Sequence, residues 1–147
     1  MKNYLGILIF LLLTTNSAYA SNSWHFNQKT GTAEVKIDTA ILMVGCESFN
    51  PSNTVMTLQI AGPNGIGSNE VENVEIVTDN HKELINMDFQ SNADGWKWAD
   101  TYPDWKTGIY SHLEKTQKLK MTIMGQSHNF PTTDLSKSLQ ALKKSCN

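Results

Sequence analysis

The chain has no arginine: its 12 basic residues are all lysine, set against 14 acidic ones. Nucleic-acid and phosphate surfaces rely on the planar guanidinium fork and a positive field, so both partners are excluded as expectations. Cysteine is nearly absent too, with Cys46 and Cys146 alone and no C-x-x-C, which leaves no sequence-local zinc framework. No G-x-S-x-G, S-x-x-K or H-E-x-x-H occurs, so the common serine-nucleophile and zinc-protease signatures are missing. Beyond the first segment no apolar run is long enough to span a bilayer, and no internal repeat or low-complexity tail is present.

That first segment has the order of an export signal. Lys2 supplies a positive start, Leu5 to Leu13 is apolar but short, and Ala18-Tyr19-Ala20 places small residues where signal peptidase reads. Residues 1–20 are expected to be removed by cleavage after Ala20, leaving 21–147 as one domain. Ser21 rather than cysteine would follow the cut, so no lipid anchor and no membrane anchor is expected on the mature chain. The expected location is the periplasm or the secreted fraction.

In an oxidising compartment two cysteines read as one disulfide. A Cys46–Cys146 bond would close a loop of about a hundred residues, worth about 4–5 kcal/mol in the chain-entropy model. A reactive thiol is the weaker reading, because Glu47 beside Cys46 would raise a thiol pKa rather than lower it.

Apolar residues mostly recur at every second position, the period of half-buried strands. Ala33, Val35 and Ile37 share one face, as do Met56, Leu58 and Ile60, Val74 and Ile76, Ile85, Met87 and Phe89, and Leu119, Met121 and Ile123. Ala40 to Val44 is continuous and predicts a strand buried on both sides. Turn chemistry lies at Phe49 to Asn53, Gly62 to Gly67 and Thr78 to His81. The period changes after Pro131: Leu135, Leu139, Leu142 and Cys146 fall on one helical stripe, predicting a helix over about 132–146 with Thr132, Thr133 or Asp134 as N-cap. Lys137, Lys143 and Lys144 would face water. The fold class expected is mainly β, an antiparallel β-sandwich or meander with one C-terminal α-helix tethered by the disulfide.

No cofactor or metal is expected. Gly62 to Gly67 fails as a phosphate cradle because Ser68-Asn69-Glu70-Val71 leads into acid and another strand. His25, His81, His112 and His128 are far apart in sequence and carry no ligand spacing.

The most distinctive stretch is Asn92 to Trp105, which gathers Trp96, Trp98, Trp105, Tyr102 and the carboxylates of Asp94, Asp100 and Asp104. It reads either as a satellite core pinning a long loop or as a recognition surface, since Trp and Tyr concentrate at interface hot spots and acids add charge-assisted contacts. The partner-binding set is Trp96, Trp98, Asp100, Tyr102, Asp104 and Trp105. Asp100 and Asp104 as a catalytic pair is a further reading, weaker because acids beside a loop proline are usually turn formers.

The leader, Trp24, the run of strands and the terminal Leu139-Gln140-Ala141-Leu142-Lys143-Lys144-Ser145-Cys146 together resemble the small secreted β-sandwich proteins of the invasion-associated locus B type. The resemblance spans the mature chain, although additional cysteines of some members are absent. It implies a non-enzymatic periplasmic or secreted β-protein and transfers no functional residues. The expected function is a non-enzymatic inhibitor or immunity-type protein, whose partner in the cell envelope or secreted fraction is a toxic or hydrolytic enzyme. The alternatives are a carbohydrate- or envelope-binding module using the aromatic loop, and a hydrolase with unrecognised carboxylate chemistry.

Overall fold

The structure, a computed structural model, describes residues 22–46, 54–61, 70–91, 96–101 and 109–146. The leader, the turn segments Phe49 to Asn53 and Gly62 to Gly67, and Tyr102, Asp104 and Trp105 lie outside them.

Among the described residues, nine strands and two helices follow in chain order: β1 His25–Asn27, β2 Thr32–Ile37, β3 Ala40–Cys46, β4 Thr54–Ala61, β5 Glu70–Val77, β6 Lys82–Ser91, β7 Trp96–Thr101, α1 Tyr110–Leu113, β8 Leu119–Ile123, β9 Gln126–Phe130 and α2 Leu135–Ser145. Every pairing is antiparallel, in the order β1-β2-β3-β4-β7-β6-β5-β8-β9. β6 turns the corner of the sandwich. Lys82 to Phe89 pair with β5 in one sheet, while Gln90 and Ser91 pair with β7 in the other.

The alternation written in the sequence becomes a single core. Ala33, Val35, Leu42, Val44, Met56, Leu58 and Ile60 line one inner face, and Val74, Ile76, Met87, Phe89, Leu119, Met121 and Ile123 the other. The expectation for Ala40 to Val44 is corrected: Ala40, Leu42 and Val44 are buried but Ile41 and Met43 are only half-buried, so the strand has one core face. Its β-branched and unbranched apolar residues suit a pleated surface on either side.

α2 lies against β1, β2 and β3, and Leu135, Leu139 and Leu142 enter the core cluster. The helix is shorter than the sequence pattern predicts. Asp134, at its N-cap, is left-handed (φ 60°) and makes no side-chain capping bond. Leu135 N–H is instead taken by Thr132 O at 3.1 Å, a tight turn that precedes the helix rather than belonging to it. Cys46 and Cys146 form the disulfide, with Cα atoms 5.8 Å apart, joining the end of β3 to the end of α2. Lys143 keeps partial contact with water and also pairs with Glu114, just past α1. Lys143 and Lys144 in the last turn complement the helix dipole.

The tight links follow local chemistry. The Thr78 to His81 turn is closed by Thr78 N–H to His81 O at 2.9 Å. Met124 and Gly125, both at positive φ (46° and 77°), form the two-residue link between β8 and β9.

Candidate functional site

The aromatic, acidic stretch is partly a strand rather than a loop. Trp96-Lys97-Trp98-Ala99-Asp100-Thr101 is β7, held between β4 and β6, so the chain here is a central strand of its sheet. Trp and Thr favour the pleat, and the turn-forming Asn92 to Gly95 in sequence ends just before it.

Register sets Trp96 opposite Ala61, Trp98 opposite Gln59 on one side and Gln90 on the other, and Asp100 opposite Thr57. Gln90 is exposed, and Thr57 and Gln59 are half-buried. The alternating β7 positions Lys97, Ala99 and Thr101 stand opposite the core residues Ile60, Leu58 and Met56. Trp96, Trp98 and Asp100 therefore occupy the same register phase, as an extended segment requires. Tyr102, Asp104 and Trp105 lie outside the described residues, so the partner-binding set is brought together on the backbone only in its first half. The chain is described again at Ile109 and α1, where Ile109 and Leu113 are fully buried.

The outward side of the adjoining sheet mixes apolar and charged residues. Val71 and Leu84 are 66% and 65% exposed, Val71 paired with Asp88 and Leu84 with Glu75. The hydrogen bond from Lys82 holds the Glu75 carboxyl below its ordinary range, with the charges of Lys82 and Lys120 acting the same way.

The four histidines are placed separately. His25 Nε2 is 2.8 Å from Glu34, at the edge strand β1. His81 and His112 stack, ring centroids 4.2 Å apart and planes within 5°, while His81 Nε2 contacts Glu83 Oε2 at 3.1 Å. Stacked rings keep their in-plane lone pairs in two separate, nearly parallel planes, so the stack does not converge on one ion. Among the described residues no group of three or more His, Cys, Asp or Glu is arranged to hold a metal. The stack belongs to a clasp in which Asp79 Oδ2 accepts from Gln117 N–H at 2.6 Å and from the Thr116 hydroxyl at 3.2 Å. His128 is buried on β9, with Nδ1 3.0 Å from Thr39 Oγ1 and Nε2 without a partner among the described residues, and burial pushes its pKa down.

A second concavity, absent from the sequence reading, lies between β1 and α2. It has a volume of about 450 Å³ and is lined by Trp24, Phe26, Gln28, Lys137, Ser138 and Ala141 among others. Trp24 is locked there by two bonds, N–H to Thr133 O at 2.9 Å and indole Nε1–H to Pro131 O at 2.8 Å. The legible signal was Ser138, a hydroxyl three residues after Leu135 on the otherwise apolar stripe.

These features define a disulfide-stapled antiparallel β-sandwich with one helix docked on its first three strands. No family model matches the chain, and no curated protein matches it by sequence. Among solved structures it is similar to the crystal structure of invasion associated protein B from Bartonella henselae, with a TM-score of 0.53, 14% identity, and coverage of 83% of this chain and 81% of that one. At that identity the likeness is one of fold. The architectural resemblance read from Trp24 and the terminal leucine stripe is thereby matched in three dimensions. No helix among the described residues is long and apolar enough to cross a membrane.

Proposed function

We propose that this chain is an exported, non-enzymatic protein-binding domain of the inhibitor or immunity type, cleaved after Ala20 and acting in the periplasm or outside the cell on a toxic or hydrolytic enzyme. The recognition surface is β7 and the segment that follows, with Trp96, Trp98, Asp100, Tyr102, Asp104 and Trp105 as the contact set. The observation that carries the reading is the register of β7, which sets Trp98 between Gln59 and Gln90, away from the Leu58 and Ile60 positions that serve the core. Trp96, Trp98 and Asp100, seated on a strand bonded on both sides, lose little backbone freedom on binding, and that preserves affinity. A disulfide is the staple expected of a small exported domain.

The test is capture from the producing cell's envelope and secreted fractions, followed by affinity and melting measurements on one Trp98→Ala sample. Loss of an interface hot spot weakens binding by about 2 kcal/mol or more with the melting temperature nearly kept. Emptying a core tryptophan site costs about 3–5 kcal/mol of stability instead. Association with a basic partner slows as salt rises. A stable variant with unchanged affinity for the captured enzyme removes β7 from the interface, and a collapsed one returns Trp98 to the core.

A further inference from the structure

The two edges of the sandwich are protected differently. β1 is three residues long, packs against α2 and leads to Lys29. β9 has five residues, Gln126-Ser127-His128-Asn129-Phe130, and lacks the lysine, carboxylate or proline that normally blunts an edge. It is the last strand in the sheet order, and Gln126, Ser127 and Asn129 are exposed.

The β8–β9 hairpin decides which backbone groups face outward. With a two-residue link, Ile123 and Gln126 are the hydrogen-bonded pair that closes it, and the pairs Met121–His128 and Leu119–Phe130 follow in the same phase. The N–H and C=O groups of Ser127 and Asn129 therefore point away from β8. Among the described residues no further backbone bond ends on them. The link into β9 is unusual as well. Its two positive φ angles favour Asn-Gly, yet the first position is Met124, at φ 46° and 49% exposed. A left-handed methionine costs backbone energy while half its surface stays in water, and an adaptable apolar side chain held so at a surface points to a contact outside its own chain.

We propose that β9 pairs antiparallel with β9 of a second copy of this chain, about a dyad at His128. That register sets Ser127 opposite the second copy's Asn129 and Asn129 opposite its Ser127, so each copy's outward N–H groups meet the other's outward C=O groups. The features of the strand favour a second copy over an unrelated one. β9 has no Lys, Asp or Glu, so two copies meet without like-charge repulsion. The Ser127 hydroxyl, 3.0 Å from that of Thr122, keeps a lone pair for the Asn129 carboxamide across the dyad. The same register carries exposed Met124 to the second copy's Pro131 and Thr132, both half-buried, where the proline ring offers an apolar contact. Because the contact is isologous, it closes at two chains. Pro131 ends the strand, so the pairing is short and weak.

The test is sedimentation equilibrium of the disulfide-intact protein at constant pH, with isotope-filtered NOE spectra on an equal mixture of labelled and unlabelled chains. The average mass should climb from one chain towards two between roughly 10 μM and roughly 1 mM. An intermolecular NOE should join the His128 Hα atoms of the two copies, the close approach of a non-hydrogen-bonded pair. Asn129→Pro removes an outward N–H from each copy without touching the β8 ladder, and should weaken pairing roughly tenfold or more. Ser127→Lys, at an exposed position that keeps the fold, should weaken it as well by placing a cation in each edge. Met124→Asn should weaken it severalfold while leaving the dilute single chain at least as stable. A mass that stays at one chain throughout, with or without β9 shifts on adding a hexathreonine strand, overturns the proposal. So does a dimer without the His128 contact, or one whose strength the Asn129 and Ser127 variants leave unchanged.

Discussion

Two of the places where this strand path is held shut use opposite physics. At the junction of β3 and α2 the closure is covalent and apolar: Cys46–Cys146, backed by Leu135, Leu139 and Leu142 at no more than 1% exposure. At the far edge, β9 meets the β2–β3 turn through one polar contact, His128 to Thr39, made by an imidazole whose other nitrogen is buried without a partner. The first closure carries no titratable group and should ignore pH. The second should not, because protonating His128 adds a buried charge whose Nε2–H meets no acceptor among the described residues. Burial by itself has opposite meanings in the two regions: it strengthens the leucine contact and makes the histidine contact conditional.

The largest effect should come from breaking the staple. Cys46→Ser releases a loop spanning a sequence separation of 100 residues, with an expected loss of about 4–5 kcal/mol, less whatever native strain the bond carries. Unreduced intact mass and thiol titration check it: the native wild-type protein should show no reactive thiol, and the variant one, at Cys146. Two thiols in the native protein would remove the staple from the comparison.

Next comes the apolar half of the same junction. Leu139→Asp places a carboxylate at a fully buried stripe position, at an expected cost of about 3–5 kcal/mol by denaturant melting. Lys144→Ala, one turn on and exposed, should stay within about 0.5 kcal/mol of wild type. Equal losses would mean that the helix presents a different face to the sheet.

The conditional closure is sharpened by pH. Burial lowers the folded pKa of His128, so as pH falls below the unfolded value of about 6.5 the unfolded chain takes up a proton that the folded chain resists. Stability contributed by neutral His128 is therefore complete above that value and lost on acidification toward the folded pKa. The wild-type melting temperature should drop relative to that of His128→Gln between pH 7.5 and 5.5, on the order of the window set by the unfolded pKa. Parallel curves would remove His128 from the acid sensitivity.

The smallest effect lies at the β8–β9 link, which delivers β9 to its contact. Met124 sits at φ 46°, a conformation that suits asparagine better than an unbranched apolar residue. Met124→Asn should stabilise by about 0.5–1 kcal/mol in chemical melting. A loss would mean that the 49% exposed methionine gains more from packing than it spends on the backbone.

Much of the stapled region was legible in the chain because its information is local. The spacing of Leu135, Leu139, Leu142 and Cys146 specifies a helix face without reference to anything else, and the alternation at Met56, Leu58 and Ile60 or Met87 and Phe89 specifies a strand face. With only two cysteines, one intramolecular bond was available. β9 was harder to see: Gln126-Ser127-His128-Asn129-Phe130 is polar in composition and becomes a strand because β8 supplies its ladder. β7 likewise reads as part of a loop until β4 and β6 bracket it.

The sequence by itself determined the strand and helix periods, the apolar set and the single possible internal disulfide, because these depend on residue identity and spacing alone. Tertiary structure decided the strand order, the half-exposure of Ile41 and Met43, and the placement of Trp98 between two glutamines. It also decided the meeting of His81 with His112 and the groove between β1 and α2. These are facts about which distant segments share a surface, and one-dimensional periodicity records which face a residue takes but not what lies across from it.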